Sequence, residues 1–316
     1  MHHDRSIELR GIRKSFGEVL ALRGVDLDVP AGTVGCVLGP NGAGKTTLVR
    51  IVATLASMDS GTGRVAGLDL ATDARRIRER IRLTGQFAAL DDILTGRENL
   101  EMIARLARLD RHRARRDAGD LLDRFDLTDA ADRRVSTYSG GMRRRIDLAA
   151  SLLGQPEVIV LDEPTTGLDP RSRQTLWSVI HELVGEGTTI VLTTQYLEEA
   201  DALADHITLI DRGEVVATGS PRDLKARLGS DTAILTFGDS TTYERAKERL
   251  VERGDVQGDD TDLRLSFAID ATSATLVALL DELHQAGTPA ARVELTTPTL
   301  DDVFLQLTSP RTAAMR

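Results

Sequence analysis

The sequence predicts an α/β fold in two parts, a large first domain and a small α/β appendage, and three observations predict it. An apolar strand candidate at residues 33–38 runs into a glycine-rich loop, then into a segment with Leu48, Ile51, Val52 and Leu55 at i, i+3, i+4 and i+7. Two more apolar runs, residues 158–161 and 188–194, have the composition of parallel strands buried on both faces. From about Ser230 the pattern changes to short alternating strands and amphipathic helices.

The glycine-rich loop is Gly39-Pro40-Asn41-Gly42-Ala43-Gly44-Lys45-Thr46-Thr47. It fits G-x-x-x-x-G-K-[ST] and has the strand before it and the helix after it that the motif requires. Glycines let backbone N–H groups approach phosphate oxygens with no Cβ in the way, and the helix adds the positive end of its dipole. Lys45 supplies a point charge for the β- and γ-phosphates, and the Thr46 hydroxyl is a ligand for Mg²⁺.

Asp and Glu number 49 against 40 Lys and Arg, a net charge of −9 that argues against sequence-independent nucleic-acid binding as the main task. No stretch approaches about 18 uninterrupted apolar residues, so neither a membrane span nor a secretory leader is expected. The expected location is cytoplasmic, with any membrane attachment made through a partner. Cys36, the single cysteine, falls in the strand before the loop, where burial as a small apolar side chain is its expected role. The six histidines are scattered and offer no metal-ligand spacing.

In chain order, residues 7–16 and 19–29 alternate as strands do and end at Pro30-Ala31-Gly32, so an antiparallel pair is expected beside the loop. Phe16 is either the flat partner of an adenine ring or a core side chain. Ser60-Gly61-Thr62-Gly63 and Gly67 read as turns around Arg64-Val65-Ala66, and residues 81–84 lead through Gly85 to Gln86. Residues 94–137 read as an inserted helical subdomain with Leu100, Ile103, Ala107, Leu121, Leu122 and Phe125 on one side. Its arginines, Arg105, Arg108, Arg111, Arg113, Arg115 and Arg116, interleave with Glu101, Asp110, Asp117 and Asp120, which favours a solvated face over contact with nucleic acid or lipid.

Tyr138-Ser139-Gly140-Gly141-Met142 then opens a helix whose apolar positions are Met142, Ile146, Ala149, Ala150 and Leu153. A serine and two glycines at a helix start make a second anion site, and one nucleotide does not easily fill both. Residues 158–163 end in paired carboxylates. Asp162 is placed to hold Mg²⁺ directly or through water, which leaves Glu163 free to orient or deprotonate an attacking water. Gln195 ends the strand at 188–194, where doubly wound sheets place functional groups, and residues 207–210 and 214–218 form a hairpin. In the appendage, strands are expected at 233–237, 263–267 and 292–295 and helices at 241–253 and 272–286. Thr299-Leu300-Asp301-Asp302 resembles a capping box opening a last helix.

This set of motifs resembles the nucleotide-binding subunits of ATP-binding cassette (ABC) transporters over about residues 5–225. The resemblance implies a P-loop NTPase ABC ATPase domain at 5–228, with a mixed-sheet core, an antiparallel β subdomain and the helical subdomain at about 94–137. A small C-terminal α/β domain would follow at 230–316. By match to the family, Phe16 is the adenine-stacking aromatic, and Gly39 to Thr47 form the Walker A loop. Gln86 links Mg²⁺ and attacking water to the membrane partner. Ser139-Gly140-Gly141-Met142 is the signature loop, Asp162 and Glu163 are the Walker B pair, and Asp169 ends a loop that communicates across a dimer. Lys45, Gln86, Glu163 and Gln195 are then the catalytic set, with Thr46, Gln86 and Asp162 around the metal and ATP and Mg²⁺ as cofactors.

The finer resemblance is to daunorubicin/doxorubicin-resistance exporter ATPases, carried by Leu94-Thr95-Gly96-Arg97-Glu98-Asn99-Leu100, Thr137 to Arg145, Thr193-Thr194-Gln195-Tyr196-Leu197-Glu198-Glu199-Ala200-Asp201 and Leu300-Asp301-Asp302-Val303-Phe304-Leu305. It implies a homodimer at the cytoplasmic face of the membrane, peripheral to a separate integral permease subunit, with no nucleic-acid partner. Related lipid and polysaccharide exporters share many of these features, and a soluble cassette ATPase acting on nucleic acid or ribosomes is the remoter alternative. Two positions depart from the family: the signature's usual Gln is Met142, and the usual histidine is Gln195, which hydrogen-bonds but never becomes a cation.

Overall fold

The computed structural model describes residues 5–84, 90–227, 231–251, 256–269, 273–296 and 298–308. Strands β1 (Arg5–Phe16) and β2 (Val19–Pro30) alternate buried and exposed side chains and pair antiparallel, with Ile7 opposite Val29, Leu9 opposite Leu27 and Ile12 opposite Val25. Strand β3 (Val34–Leu38) is buried at every residue and feeds the loop that ends in α1 (Lys45–Val52). The helix is shorter than its periodicity implies. Thr54 takes a φ of +58° just past its end, and Leu55 lies exposed beyond it.

Residues 60–63, expected as a turn before Arg64-Val65-Ala66, instead join Arg64 and Val65 in β4 (Ser60–Val65) on the free edge of β1. Their glycines serve close packing: a Cβ on Gly63 would stand 2.5 Å from Leu70, and one on Gly61 2.6 Å from the Arg10 carbonyl. With β5 (Leu68–Asp69) this makes a four-stranded sheet of order β2-β1-β4-β5.

Helix α2 (Ala74–Arg80) leads into β6 (Ile81–Thr84). The helical subdomain follows as α3 (Gly96–Leu106) and α4 (Arg111–Arg124). A capping box opens α3: Glu98 N–H donates to Thr95 Oγ1 at 3.2 Å, and Thr95 N–H to Glu98 Oε2 at 2.8 Å. Leu100, Ala104, Ala114, Ala118 and Leu122 are buried along these two helices. The arginine face is solvated as expected, with Arg113 and Arg116 near Asp117 and Arg115 near Glu101.

The remaining elements are α5 (Gly140–Leu152), β7 (Val158–Asp162), α6 (Pro170–Gly185), β8 (Thr189–Thr194), α7 (Leu197–Leu203), β9 (His206–Asp211) and β10 (Glu214–Gly219). They complete a six-stranded sheet of order β10-β9-β3-β8-β7-β6, parallel except for β10. Register decides what meets at its edge. Leu38 pairs with Thr194 and Asp162 with Thr193, so Gly39, Glu163 and Gln195 leave the sheet side by side. Cys36 is buried in β3, and loss of solvation pushes its thiol pKa well up.

Contacts divide the chain at Pro221/Arg222. The second unit holds most of α8 (Pro221–Ala226), then β11 (Asp231–Thr236), α9 (Ser240–Val251), β12 (Val256–Asp259), β13 (Arg264–Ile269), α10 (Ser273–Gln285), β14 (Arg292–Thr296) and α11 (Leu300–Thr308). Its sheet is antiparallel throughout, order β12-β13-β11-β14, over a core that includes Leu235, Tyr243, Leu250, Leu265 and Leu279. Three strands match the sequence pattern, while β12 reads Val-Gln-Gly-Asp and has no apolar alternation to reveal it. The last cap is real: Asp302 N–H donates to Thr299 Oγ1 at 3.2 Å, and Thr299 N–H to Asp302 Oδ2 at 2.9 Å.

Candidate functional site

A cleft of about 820 Å³ opens where β3, β7 and β8 end. Its floor is the glycine loop, with Asn41, Gly42, Gly44, Lys45, Thr46 and Thr47, and its far wall is Glu163, Thr166 and Gln195. Val19, Leu20, Ala21, Arg23 and Arg212 form the rest of the lining. Gly39 is required for space: a Cβ there would stand 2.1 Å from the Ile210 carbonyl oxygen. Gly44 is required on two counts, since its φ is +108° and a Cβ would stand 2.8 Å from the Ala21 carbonyl.

Lys45 begins α1 with its side chain 4% exposed. Its ammonium donates to the carbonyls of Gly39 at 2.7 Å and Pro40 at 3.1 Å and lies 3.5 Å from Glu163 Oε1. A cation buried this way is held by neutral acceptors and one carboxylate, all of which phosphate oxygens can outbid. Across the cleft, Thr193 organises the carboxylates: its hydroxyl donates to Asp162 Oδ1 at 2.6 Å and accepts from Glu163 N–H at 3.0 Å. Glu163 itself has a φ of +49°, a costly conformation for a residue before proline, and it turns the side chain out of the strand direction. Thr193 carries no motif, and a threonine within an apolar strand gave no sign of this role.

Thr46 Oγ1 donates to Asp162 Oδ1 at 3.4 Å. A hydroxyl and a carboxylate this close are hard oxygen donors that fit Mg²⁺, which takes its other ligands from phosphate and water. No group of three His, Cys, Asp or Glu side chains that could hold a metal occurs among the described residues, so a cation here would rely on the nucleotide.

The Ser139 loop lies elsewhere. Ser139 caps α5, accepting from Met142 N–H at 3.2 Å, and a Cβ on Gly141 would stand 2.5 Å from Ser172 Oγ. Asp169 caps α6; Ser172 donates to it from N–H at 2.9 Å and from Oγ at 2.7 Å, which holds its carboxyl below the ordinary range. None of Ser139, Gly140, Gly141, Met142 or Asp169 lines the cleft. Phe16 is 53% exposed at the end of β1, opposite Val19, with the Lys14 ammonium 5.6 Å from its ring centre; it is not a core side chain. Gln86 lies outside the described residues.

Residues 22–166 match the family described as ABC transporter, and residues 219–308 match the ATP-binding protein DrrA1-3-like C-terminal domain. The chain is 48% identical to the daunorubicin resistance ATP-binding protein DrrA2 of Streptomyces coeruleorubidus, over 97% of this chain and 96% of that one. It belongs to the ABC transporter ATP-binding proteins. This ABC ATPase is also 40% identical to the doxorubicin resistance ATP-binding protein DrrA of Mycobacterium tuberculosis, over 99% of this chain and 96% of the relative. The ADP conformation of MJ1267, an ATP-binding cassette of an ABC transporter, matches with a TM-score of 0.64 at 25% identity, covering 69% of this chain and 92% of that structure. The dimeric post-hydrolysis cassette MJ0796, bound to ADP and Pi, shares the fold at 24% identity with a TM-score of 0.62, over 68% of this chain and 98% of its own. The fold is therefore the P-loop ABC ATPase with an added C-terminal domain, and ATP hydrolysis coupled to transport is the family's activity. No helix among the described residues is long and apolar enough to cross a membrane.

Proposed function

We propose that two copies of this chain form the ATP-driven motor of an exporter for a drug-like, anthracycline-like compound, carried by a separate integral membrane subunit. The motor sits peripherally at the cytoplasmic face, where the helical subdomain meets that subunit. The observation that carries the two-copy reading is the distance in role between the two anion sites: Ser139, Gly140 and Gly141 stay out of their own chain's phosphate cleft. Only a second copy brings them to a nucleotide, so each ATP lies between the glycine loop of one chain and the Ser139 loop of the other. The cargo reading rests on relatives named for daunorubicin and doxorubicin resistance.

In each pocket Lys45 moves from Glu163 to the β- and γ-phosphate oxygens, and Phe16 stacks on the adenine. Thr46 and Asp162 would hold Mg²⁺, which would spread the negative charge of the phosphates. Glu163, freed from the ammonium, takes a proton from water as the water oxygen attacks the γ-phosphorus. The bond from phosphorus to the bridging oxygen breaks, and ADP and phosphate leave. Gln195 offers a neutral hydrogen-bonding contact on the cleft wall.

Cysteine crosslinking tests the shared pocket. Cys36 is buried and its thiol is held protonated, so Ser139→Cys with Asn41→Cys introduces the reactive pair. In a Glu163→Gln background the disulfide dimer is expected only with ATP, and its absence there refutes the arrangement. ATP-dependent efflux of an anthracycline from cells carrying the permease, lost in Lys45→Ala, tests the cargo.

A further inference from the structure

We propose that Arg144 is a positioning residue that ties helix α5, whose first turn is the Ser139 loop, to the turn that carries Glu163. The coupling rests on the shared-pocket reading: a nucleotide held by the Ser139 loop belongs to the partner's cleft, whereas the Glu163 turn serves the chain's own.

Three consecutive arginines begin the second turn of α5, and only one of them turns inward. Arg143 pairs with Asp92, and Arg145 donates to the carbonyls of Phe125 and Asp126. The Arg144 side chain is 14% exposed, and its Nε donates to the Pro164 carbonyl at 2.7 Å. Its Nη1 donates to Asp147 Oδ2 at 3.1 Å, one helical turn further along, and Asp147 is itself 10% exposed. Burying a guanidinium costs several kcal/mol unless its donors are satisfied, and along its own face of α5 the buried residues at i+3, i+4 and i+7 are Asp147, Leu148 and Ser151, of which Asp147 alone is charged. The acceptor it reaches is the carbonyl of Pro164, the residue immediately after Glu163.

The turn there needs holding. Glu163 sits at a φ of +49° directly before Pro164, a conformation that persists only where its surroundings over-determine it. Thr193 fixes the turn from one side through the Glu163 N–H, and Arg144 fixes it from the other through the Pro164 carbonyl. The guanidinium also lies in the field of Asp162 and Glu199, the latter a fully buried carboxylate of α7 just past Gln195. A helix moves as a rigid rod, and Arg144 stands five residues, about 7.5 Å of axial rise, from Ser139. Displacement of the first turn by a bound phosphate is thereby carried to the seat of the catalytic carboxylate, where small misplacements are expensive in rate.

The test is the double variant Arg144→Gln/Asp147→Asn in the full chain, which removes both charges and leaves neither unpaired. The expected result is a kcat about tenfold lower with a KM for ATP within about twofold, at a melting temperature near that of wild type. The ATP-dependent Ser139→Cys/Asn41→Cys crosslink should persist in the Glu163→Gln background. Arg144→Lys, which keeps one cation but cannot span two acceptors as the planar fork does, should give an intermediate kcat. A double variant with kcat within about twofold of wild type overturns the coupling and leaves the shared pocket standing. Should the double variant not fold, a wild-type kcat in Arg144→Lys overturns the coupling instead. Loss of the crosslink in Glu163→Gln itself, with Arg144 intact, overturns the shared pocket and the coupling with it.

Discussion

Glu163→Gln separates nucleotide binding from water activation, and the geometry sets opposite signs for the two. The carboxylate is 11% exposed and 3.5 Å from the Lys45 ammonium, which is 4% exposed. ATP has to break that contact before its phosphates can take the ammonium. Taken at the ~1 kcal/mol net of an ordinary hydrogen-bonded contact, its loss should tighten ATP binding about fivefold, 1.4 kcal/mol being a factor of ten. The same substitution removes the group that accepts the proton, for which the usual loss is about 10²–10⁴ in kcat. The backbone N–H of Glu163, bonded to Thr193 Oγ1 at 3.0 Å and to the Thr193 carbonyl at 3.1 Å, is untouched, so the turn should survive. Phosphate release at saturating Mg-ATP and equilibrium titration with a fluorescent ATP analogue read the two effects separately. Turnover within tenfold of wild type refutes Glu163 as the base, and weakened binding refutes the account of its contact with Lys45.

Asp147 makes stability depend on pH in the reverse of the usual carboxylate sense. Burial raises its pKa from 3.8 to about 6, so the group favours the folded state when protonated. That contribution is complete below the unfolded value and is lost as pH rises through about 6, a swing of ~3 kcal/mol by linkage. Denaturant midpoints measured between pH 4 and 7 should show this decline in wild type and its absence in Asp147→Asn. Gly39→Ala places a Cβ 2.1 Å from a carbonyl oxygen, and it should cost about 1–3 kcal/mol of stability and abolish nucleotide binding, read by calorimetry and titration.

The parts of the site legible in the sequence are those whose chemistry is local along the chain. A phosphate loop, a capped helix start and a strand ending in two carboxylates each carry their partners within a few residues, and the structure seats Lys45, Thr46, Asp162, Glu163 and Gln195 around one edge of the sheet. What stayed illegible depends on partners far away in sequence. Gly61 and Gly63 look like turn formers, yet Arg10 and Leu70 press on them from other strands. Thr193 looks like a strand filler until Asp162 is laid beside it 31 residues away. Arg143, Arg144 and Arg145 are indistinguishable as letters, and only the packing of α5 sends the middle one into the core.

The two departures from the family pattern follow different physical rules. At the signature, the cap is made by the backbone N–H of Met142 to Ser139 Oγ, so the side chain at that position is free to change without loss of the helix start or its anion site. At Gln195 the change is chemical, because an amide on the cleft wall carries no proton that pH can move. With no histidine at position 195, this wall of the cleft carries no imidazole to titrate near pH 6.5. Gln195→His would place an imidazole on that wall, and an inflection near pH 6.5 in the kcat profile that wild type lacks is the expected result.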